Sequence, residues 1–174
     1  MANEPVRKVD IPVLSVKYNG TFDFTTFITK AKGFLEGNNL EFIEKKYKHK
    51  TSDGLSEIEI EWLFERKVNY YVKESVEVYL KFWDIKDIEI LQDGKKTTLQ
   101  NGRVLVETKG WIDLDWDKRF VGAGKMKPVL EELQDFLHKY IIKKTVYGKW
   151  AGKLGEKIFN FNRFLRQQLN TETP

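Results

Sequence analysis

Residues 57–62 read Glu57-Ile58-Glu59-Ile60-Glu61-Trp62, and residues 76–83 read Val76-Glu77-Val78-Tyr79-Leu80-Lys81-Phe82-Trp83. In both stretches a strictly apolar position recurs every second residue. A β-strand sends successive side chains to opposite faces, so each stretch reads as a strand with one buried and one wet face. Around this pair the same period continues. Leu40 to Lys50 reads as a charged, half-buried strand, turned by Ser52-Asp53-Gly54. Arg66 to Asn69 is a connection of undecided form. Asp87 to Leu91 continues the second strand or pairs anew. Asp93-Gly94 and Asn101-Gly102 are hairpin-turn signals with a short strand, Lys95 to Gln100, between them. Arg103 to Trp116 is a long strand in which Gly110 marks a bulge.

Further out the period changes to three and four. Val13 to Tyr18 is a first strand, ended by Asn19-Gly20. Asp23 then suits a helix N-cap, and Phe24, Phe27, Ile28, Ala31, Phe34 and Leu35 form one apolar helical stripe stopped by Gly37-Asn38-Asn39. On the other side, Pro128 suits the first position of a helix. Val129, Leu130, Leu133, Phe136, Leu137, Tyr140 and Ile141 give its apolar stripe. Tyr147, Ala151, Leu154, Ile158, Phe161 and Leu165 follow as a heptad-like seam, with a kink or break expected near Gly148. The expected architecture is α+β. An antiparallel sheet of about five to six strands carries one helix after the first strand, and a long C-terminal helix or helix pair packs on one sheet face. Residues 1–10 read as a flexible N-terminus and 11–170 as a single domain. Its sheet region is 11–120 and its helical region 127–169, and 171–174 form a polar tail.

Composition bounds the chemistry. The chain has 174 residues, 41% hydrophobic and 14% aromatic, enough for one domain that buries its own core. It contains no Cys, which excludes a thiol nucleophile, a disulfide framework and a Cys-ligated metal centre. Absence of Cys fits a reducing compartment, so the expected location is cytoplasmic. No apolar run reaches the roughly 18–20 residues of a spanning helix, and no secretory signal is expected at the N-terminus. Charge is uneven. Residues 1–56 carry a net +2, residues 57–117 a net −5 and residues 118–174 a net +7. Such asymmetry hints at an electrostatic partner; a basic helix lying across an acidic sheet is the simpler account.

Motifs with a catalytic meaning are weak. Val121-Gly122-Ala123-Gly124-Lys125 lacks the spacing of a phosphate-binding loop, because Met126 stands where Ser or Thr is needed. Glu131, Asp135 and His138 share a helical face and could hold a metal, but lack a partner helix with a matching pattern. Asp113, Asp115 and Asp117 alternate as a strand-face row, as do Glu57, Glu59 and Glu61; an exposed face that resists edge pairing explains both. The serines Ser15, Ser52, Ser56 and Ser75 sit in no nucleophile elbow. A non-enzymatic protein without cofactor or metal is therefore expected.

Basic residues are the stronger signal. Lys45, Lys46, Lys48 and Lys50 cluster around Tyr47 and His49, a composition that suits phosphate contact and base stacking. On a strand, Lys46, Lys48 and Lys50 share one face, and Tyr47 and His49 the other. Beyond residue 138, Lys139, Lys143, Lys144, Lys149, Lys153, Lys157, Arg163 and Arg166 face only Glu156 before the tail. Phe159 and Phe164 lie off the seam, so the last helix is apolar around much of its circumference.

The order strand, helix, antiparallel strands, helix resembles that of helix-grip proteins, in which a curved sheet wraps a long C-terminal helix around an apolar cavity. Those proteins have more strands and usually two helices after the first. The resemblance implies a carrier of an apolar small ligand, with Trp62, Phe64, Phe82, Trp83, Trp111, Trp116 and Trp150 as pocket candidates. The helix–three strands–helix order is similar to that of double-stranded-RNA-binding domains, without their basic signature at the second helix. Three functions follow as expectations. The first is a non-catalytic protein that contacts nucleic acid or a ribonucleoprotein surface through the C-terminal helix and the 45–50 strand. The second is the apolar-ligand carrier. The third is a homodimeric structural or regulatory subunit joined through the seam Tyr147, Ala151, Leu154, Ile158, Phe161, Leu165.

Overall fold

A computed structural model describes residues 8–92, 94–117, 127–136 and 145–170. Strand β1 (Lys8–Phe22) leads into helix α1 (Phe24–Glu36), followed by strands β2 (Glu41–Ser52), β3 (Leu55–Lys67), β4 (Val72–Gln92) and β5 (Lys95–Leu114). Helix α2 (Lys127–Phe136), a π-helical turn (Val146–Ala151) and helix α3 (Gly152–Asn170) complete the described chain. The five strands form one sheet in the order β1-β5-β4-β3-β2, every neighbouring pair antiparallel. The α+β expectation holds, with five strands.

Local chemistry explains the element ends. Asp23 caps α1: one carboxylate oxygen accepts from the Thr26 N–H at 3.0 Å and the other from the Thr26 hydroxyl at 2.6 Å. Burial opposes ionisation of Asp23, but these donors outweigh it and hold the carboxyl below its usual pKa. Asp53 and Gly54, with φ of 54° and 76°, make the left-handed pair that a two-residue β2–β3 turn needs. The undecided connection after Arg66 is a tight turn, closed by the Asn69 side chain accepting from the N–H groups of Tyr71 and Val72 at 2.8 Å.

Three sequence expectations change. Residues 8–10, expected loose, belong to β1 and pair with Asp113 to Trp111. Asn101-Gly102 makes no turn: both lie inside β5, and Gly102 is where the irregularity of β4 after Trp83 presses in. A Cβ on Gly102 would stand 2.5 Å from Ile85 Cδ1 and 2.8 Å from the Trp83 carbonyl oxygen. Gly110 pairs regularly with Val76 of β4, but towards β1 it is the partner of Ile11, where the register breaks before Leu14, so an irregularity does fall at the expected place, its extra residue on β1; the bare face of Gly110 receives Ile158 of α3. The aspartate row is broken because the strand ends at Leu114: Asp115 is left-handed (φ 54°) and buried, and its N–H donates to the Tyr71 carbonyl.

Both long helices cover one sheet face. Leu154, Ile158, Phe161, Leu165 and Leu169 of α3 are fully buried with Phe22, Phe27, Phe64 and Phe82. Phe34 of α1 stacks on Phe164 (centroids 4.9 Å apart) and tilts against Phe161 (5.6 Å), locking the two helices together. The seam expected to join two copies is thus covered by the chain's own sheet at Leu154, Ile158, Phe161 and Leu165. Ala151 is half-buried, and the Tyr147 side chain lies outside the described residues. The kink expected near Gly148 is the π-helical turn. On α2, Val129, Leu133 and Phe136 are 59%, 47% and 55% exposed and Leu130 is half-buried, while Leu137, Tyr140 and Ile141 of the expected stripe lie outside the described residues. Among the described residues no helix is long and apolar enough to cross a membrane.

Candidate nucleic-acid interface

The sheet divides the expected basic site in two. Period-two alternation sets Lys46, Lys48 and Lys50 opposite Glu61, Glu59 and Glu57, on the face away from the helices. Tyr47 and His49 lie opposite Ile60 and Ile58, on the helix-side face. The register shift between Glu44 and Lys46 brings Lys45 to the outer face as well, where it meets Glu77 at 2.9 Å. The lysines of 45–50 therefore do not join α3 in one surface.

That outer face is a lattice of paired charges. Lys46 bridges Glu59 (3.1 Å) and Glu61 (3.0 Å), Lys73 bridges Glu65 and Asp113, and Lys81 meets Glu57 at 3.2 Å. Hydrogen bonds that Lys46 donates to Glu61 and Glu59 raise its pKa, and the bond Lys45 donates to Glu77 does the same for Lys45. Tyr79 donates to Glu59 at 2.6 Å. Burial, then this carboxylate, push the phenol up to about 12, and the same bond holds Glu59 below its usual value. Cations so held are poor partners for a phosphate.

The helix layer differs. Lys149, Lys153, Arg163 and Arg166 are exposed, as is Lys30 of α1, which reaches Gln168 of α3 at 2.7 Å. None of the five pairs with a carboxylate among the described residues. Arg166 donates to the Ser15 carbonyl at 3.4 Å, and Arg163 to the Asn160 side chain at 3.3 Å. Glu36 and Glu156 are the acids of α1 and α3; Glu36 lies 3.9 Å from Lys32. Phe159 is 59% exposed and stands four residues before Arg163 and seven before Arg166, on their stripe. From Phe159 to Arg166 the stripe runs about 10 Å along α3, and Lys153, six residues before Phe159, lies about 120° from it round the helix.

Lys157, expected to reach a phosphate, turns inward instead. Its ammonium lies 3.1 Å from Glu74 Oε2, and Arg66 Nη2 reaches the same oxygen at 3.0 Å. Glu74 is fully buried on β4, and its other oxygen has no hydrogen-bond partner. This clasp ties α3 to the sheet. Lys143 and Lys144 lie outside the described residues, as do Gly122 to Lys125, His138 and the side chains of Glu131 and Asp135. Among the described residues no acidic or His group is arranged to hold a metal.

The proposed aromatic pocket does not assemble. Trp62, Phe64 and Phe82 fill the core, whereas Trp83 and Trp111 stand opposite Arg103 and Ser75 on the outer face. Trp116 donates to the Asn69 carbonyl at 2.8 Å beyond the end of β5. Sequence reasoning missed Lys30, whose membership in the basic face depends on α1 lying beside α3, and Glu74, whose Val72/Val76 neighbours were the signal that it faces inward. No protein-family model and no curated protein matches the chain.

Proposed function

We propose that this is a non-catalytic binding protein that holds a single-stranded nucleic acid across its helix layer. The observation that carries the reading is the contrast between faces: on the sheet Lys45, Lys46, Lys73 and Lys81 are tied to its own carboxylates, though Lys48 and Lys50 are not, while Lys30, Lys149, Lys153, Arg163 and Arg166 of the helix layer are all unpaired among the described residues. Unpaired surface cations release the strand's counterions when they meet phosphates, and an exposed aromatic among them stacks a base without reading its identity. Phe159 supplies that platform. Specificity through base edges is not part of this reading, because the face carries arginines and lysines in a row rather than a shaped groove.

The test is fluorescence anisotropy with a labelled oligouridylate. Phe159→Ala should weaken binding by about 1–3 kcal/mol, the worth of one base stack. Phe159→Trp should bind at least as well as the parent chain. Equal affinity of the alanine and parent chains would remove the stacking part of the reading.

A further inference from the structure

Strands β1, β5 and β4 set two short rows of side chains across the outer face, away from the helices. Lys17, Leu105 and Lys81 are cross-strand partners, and so are Asn19, Arg103 and Trp83. Residues directly opposite share a face, so the two rows stand side by side over the middle strand. A hollow of about 440 Å³ opens there, and its lining includes Lys17, Asn19, Trp83, Arg103 and Leu105. That volume suits a small molecule. Neighbouring strands lie about 4.8 Å apart, so the β1 and β4 walls stand roughly 10 Å apart, with room for a flat ring between them. Leu105 and Trp83 are half-buried, and Lys17 is exposed. Lys81 Nζ and Arg103 Cζ lie 5.2 and 5.7 Å from the Trp83 ring centroid and hold the indole in place as a wall.

The charges of the hollow do not cancel. Arg103 spends Nε, at 2.7 Å, and Nη2 on the Asp84 carboxylate, which leaves Nη1 to donate elsewhere. Lys81 is held by Glu57 at 3.2 Å. Each of those pairs is neutral. Lys17 has no ion-pair partner among the described residues, and no carboxylate among them lines the hollow. One net positive charge therefore stands beside an apolar floor and an indole wall. Further along the same face the next hollow, of about 310 Å³, is lined by Glu61, Glu77 and Glu107 with Lys109. A polyanion laid across the face meets those carboxylates; a ligand with a single charged end does not.

We propose that this hollow binds a small aromatic monocarboxylate. The carboxylate accepts from Lys17, with the Asn19 amide and Arg103 Nη1 as further donors. The ring lies on Leu105 against Trp83, where an aromatic body gains more than an alkyl chain of equal area. The site faces away from the helix layer and does not rest on the nucleic-acid reading.

The probe is naphthoate, added to the full chain labelled with fluorotryptophan and followed by fluorine NMR. Trp83→Phe assigns the Trp83 resonance. The expected result is a saturable shift of that resonance with a Kd of about 1 mM or tighter, the strength a ligand of this size reaches in an open hollow. The resonance of Trp62, which is buried in the core, should stay in place. Naphthamide keeps the ring without the charge and should bind about fivefold more weakly, the worth of a half-exposed ion pair. Lys17→Ala should weaken naphthoate to the same degree, whereas Lys17→Arg and Lys109→Ala should bind it like the parent chain. No saturable shift at Trp83, equal binding of naphthamide, or equal losses from Lys17→Ala and Lys109→Ala would each overturn the proposal. A Trp83 shift of the same size from an oligouridylate would overturn it as well, since the hollow would then take a polyanion.

Discussion

Tyr79 donates its phenol to the Glu59 carboxylate across neighbouring strands, and its pKa of about 12 carries a stability consequence. A group whose folded pKa is raised contributes stability that is complete below its unfolded value and is lost as pH rises through the folded value. The contribution is therefore whole below about pH 10. It disappears towards about 12, the folded value. Ultraviolet titration should find one of the seven tyrosines ionising near 12, and Tyr79→Phe should remove that step. Ionisation of every tyrosine centred near pH 10, with no step near 12, would contradict the bond. Glu74 makes a second prediction at this scale. Removing one member of a buried ion cluster leaves its partners desolvated and unpaired, so Glu74→Ala should lose roughly 3–5 kcal/mol in denaturant unfolding. Glu74→Gln combined with Lys157→Met should recover part of it, because the double change leaves fewer charges stranded. Neither residue's role was legible from its own neighbourhood. Tyr79 reads as one more outward residue, and no motif singles out Glu74; Val72 and Val76 turn Glu74 inward, but the sequence does not say which strand or helix lies opposite.

Elements were legible where local chemistry and period agree. Asp23, the stripe Phe24 to Leu35 and the Gly37-Asn38-Asn39 stop all point to one helix, and α1 begins and ends there. β3 and β4 follow from their alternation. Asn101-Gly102 is misread because a glycine placed for close approach looks like a glycine placed for a turn. Gly102 gives way to Ile85, and Gly110 to Ile158. Gly110→Ala should therefore cost about 1–3 kcal/mol by overpacking. Ile158→Val, which removes the Cδ1 atom in contact, should relieve the added strain in that background, measured as a non-additive double-mutant cycle. Strict additivity would show that α3 does not bear on Gly110. The apolar period of α3 was legible too, but not its partner. A heptad-like spacing fits a sheet as well as a second helix, and here Leu154 to Leu165 meet the sheet.

At the scale of the whole molecule, the sheet acts as a divider. It separates Lys45, Lys46, Lys48 and Lys50 from Lys149, Lys153, Arg163 and Arg166, two groups that a linear reading of charge assigns to one surface. It also supplies Glu59, Glu61 and Glu77 to Lys45 and Lys46 of the first group and leaves the second unpaired among the described residues. The net +7 of residues 118–174 thus becomes, over the described part of α3, a directed face rather than a diffuse charge. The most direct test of that division is the salt dependence of oligouridylate binding between about 50 and 200 mM, a range over which phosphate contacts lose affinity steeply. Each neutralised phosphate on a single strand contributes a slope of roughly −0.7 in log–log form, so five cations give at most about −3.5. The chain with Lys153→Ala, Arg163→Ala and Arg166→Ala should lose about 2 from that slope, at roughly 0.7 per cation. The chain with Lys45→Ala, Lys46→Ala and Lys48→Ala should keep the parent slope. A flat salt response, or a larger loss from the β2 variant than from the α3 variant, would contradict the helix layer as the binding face.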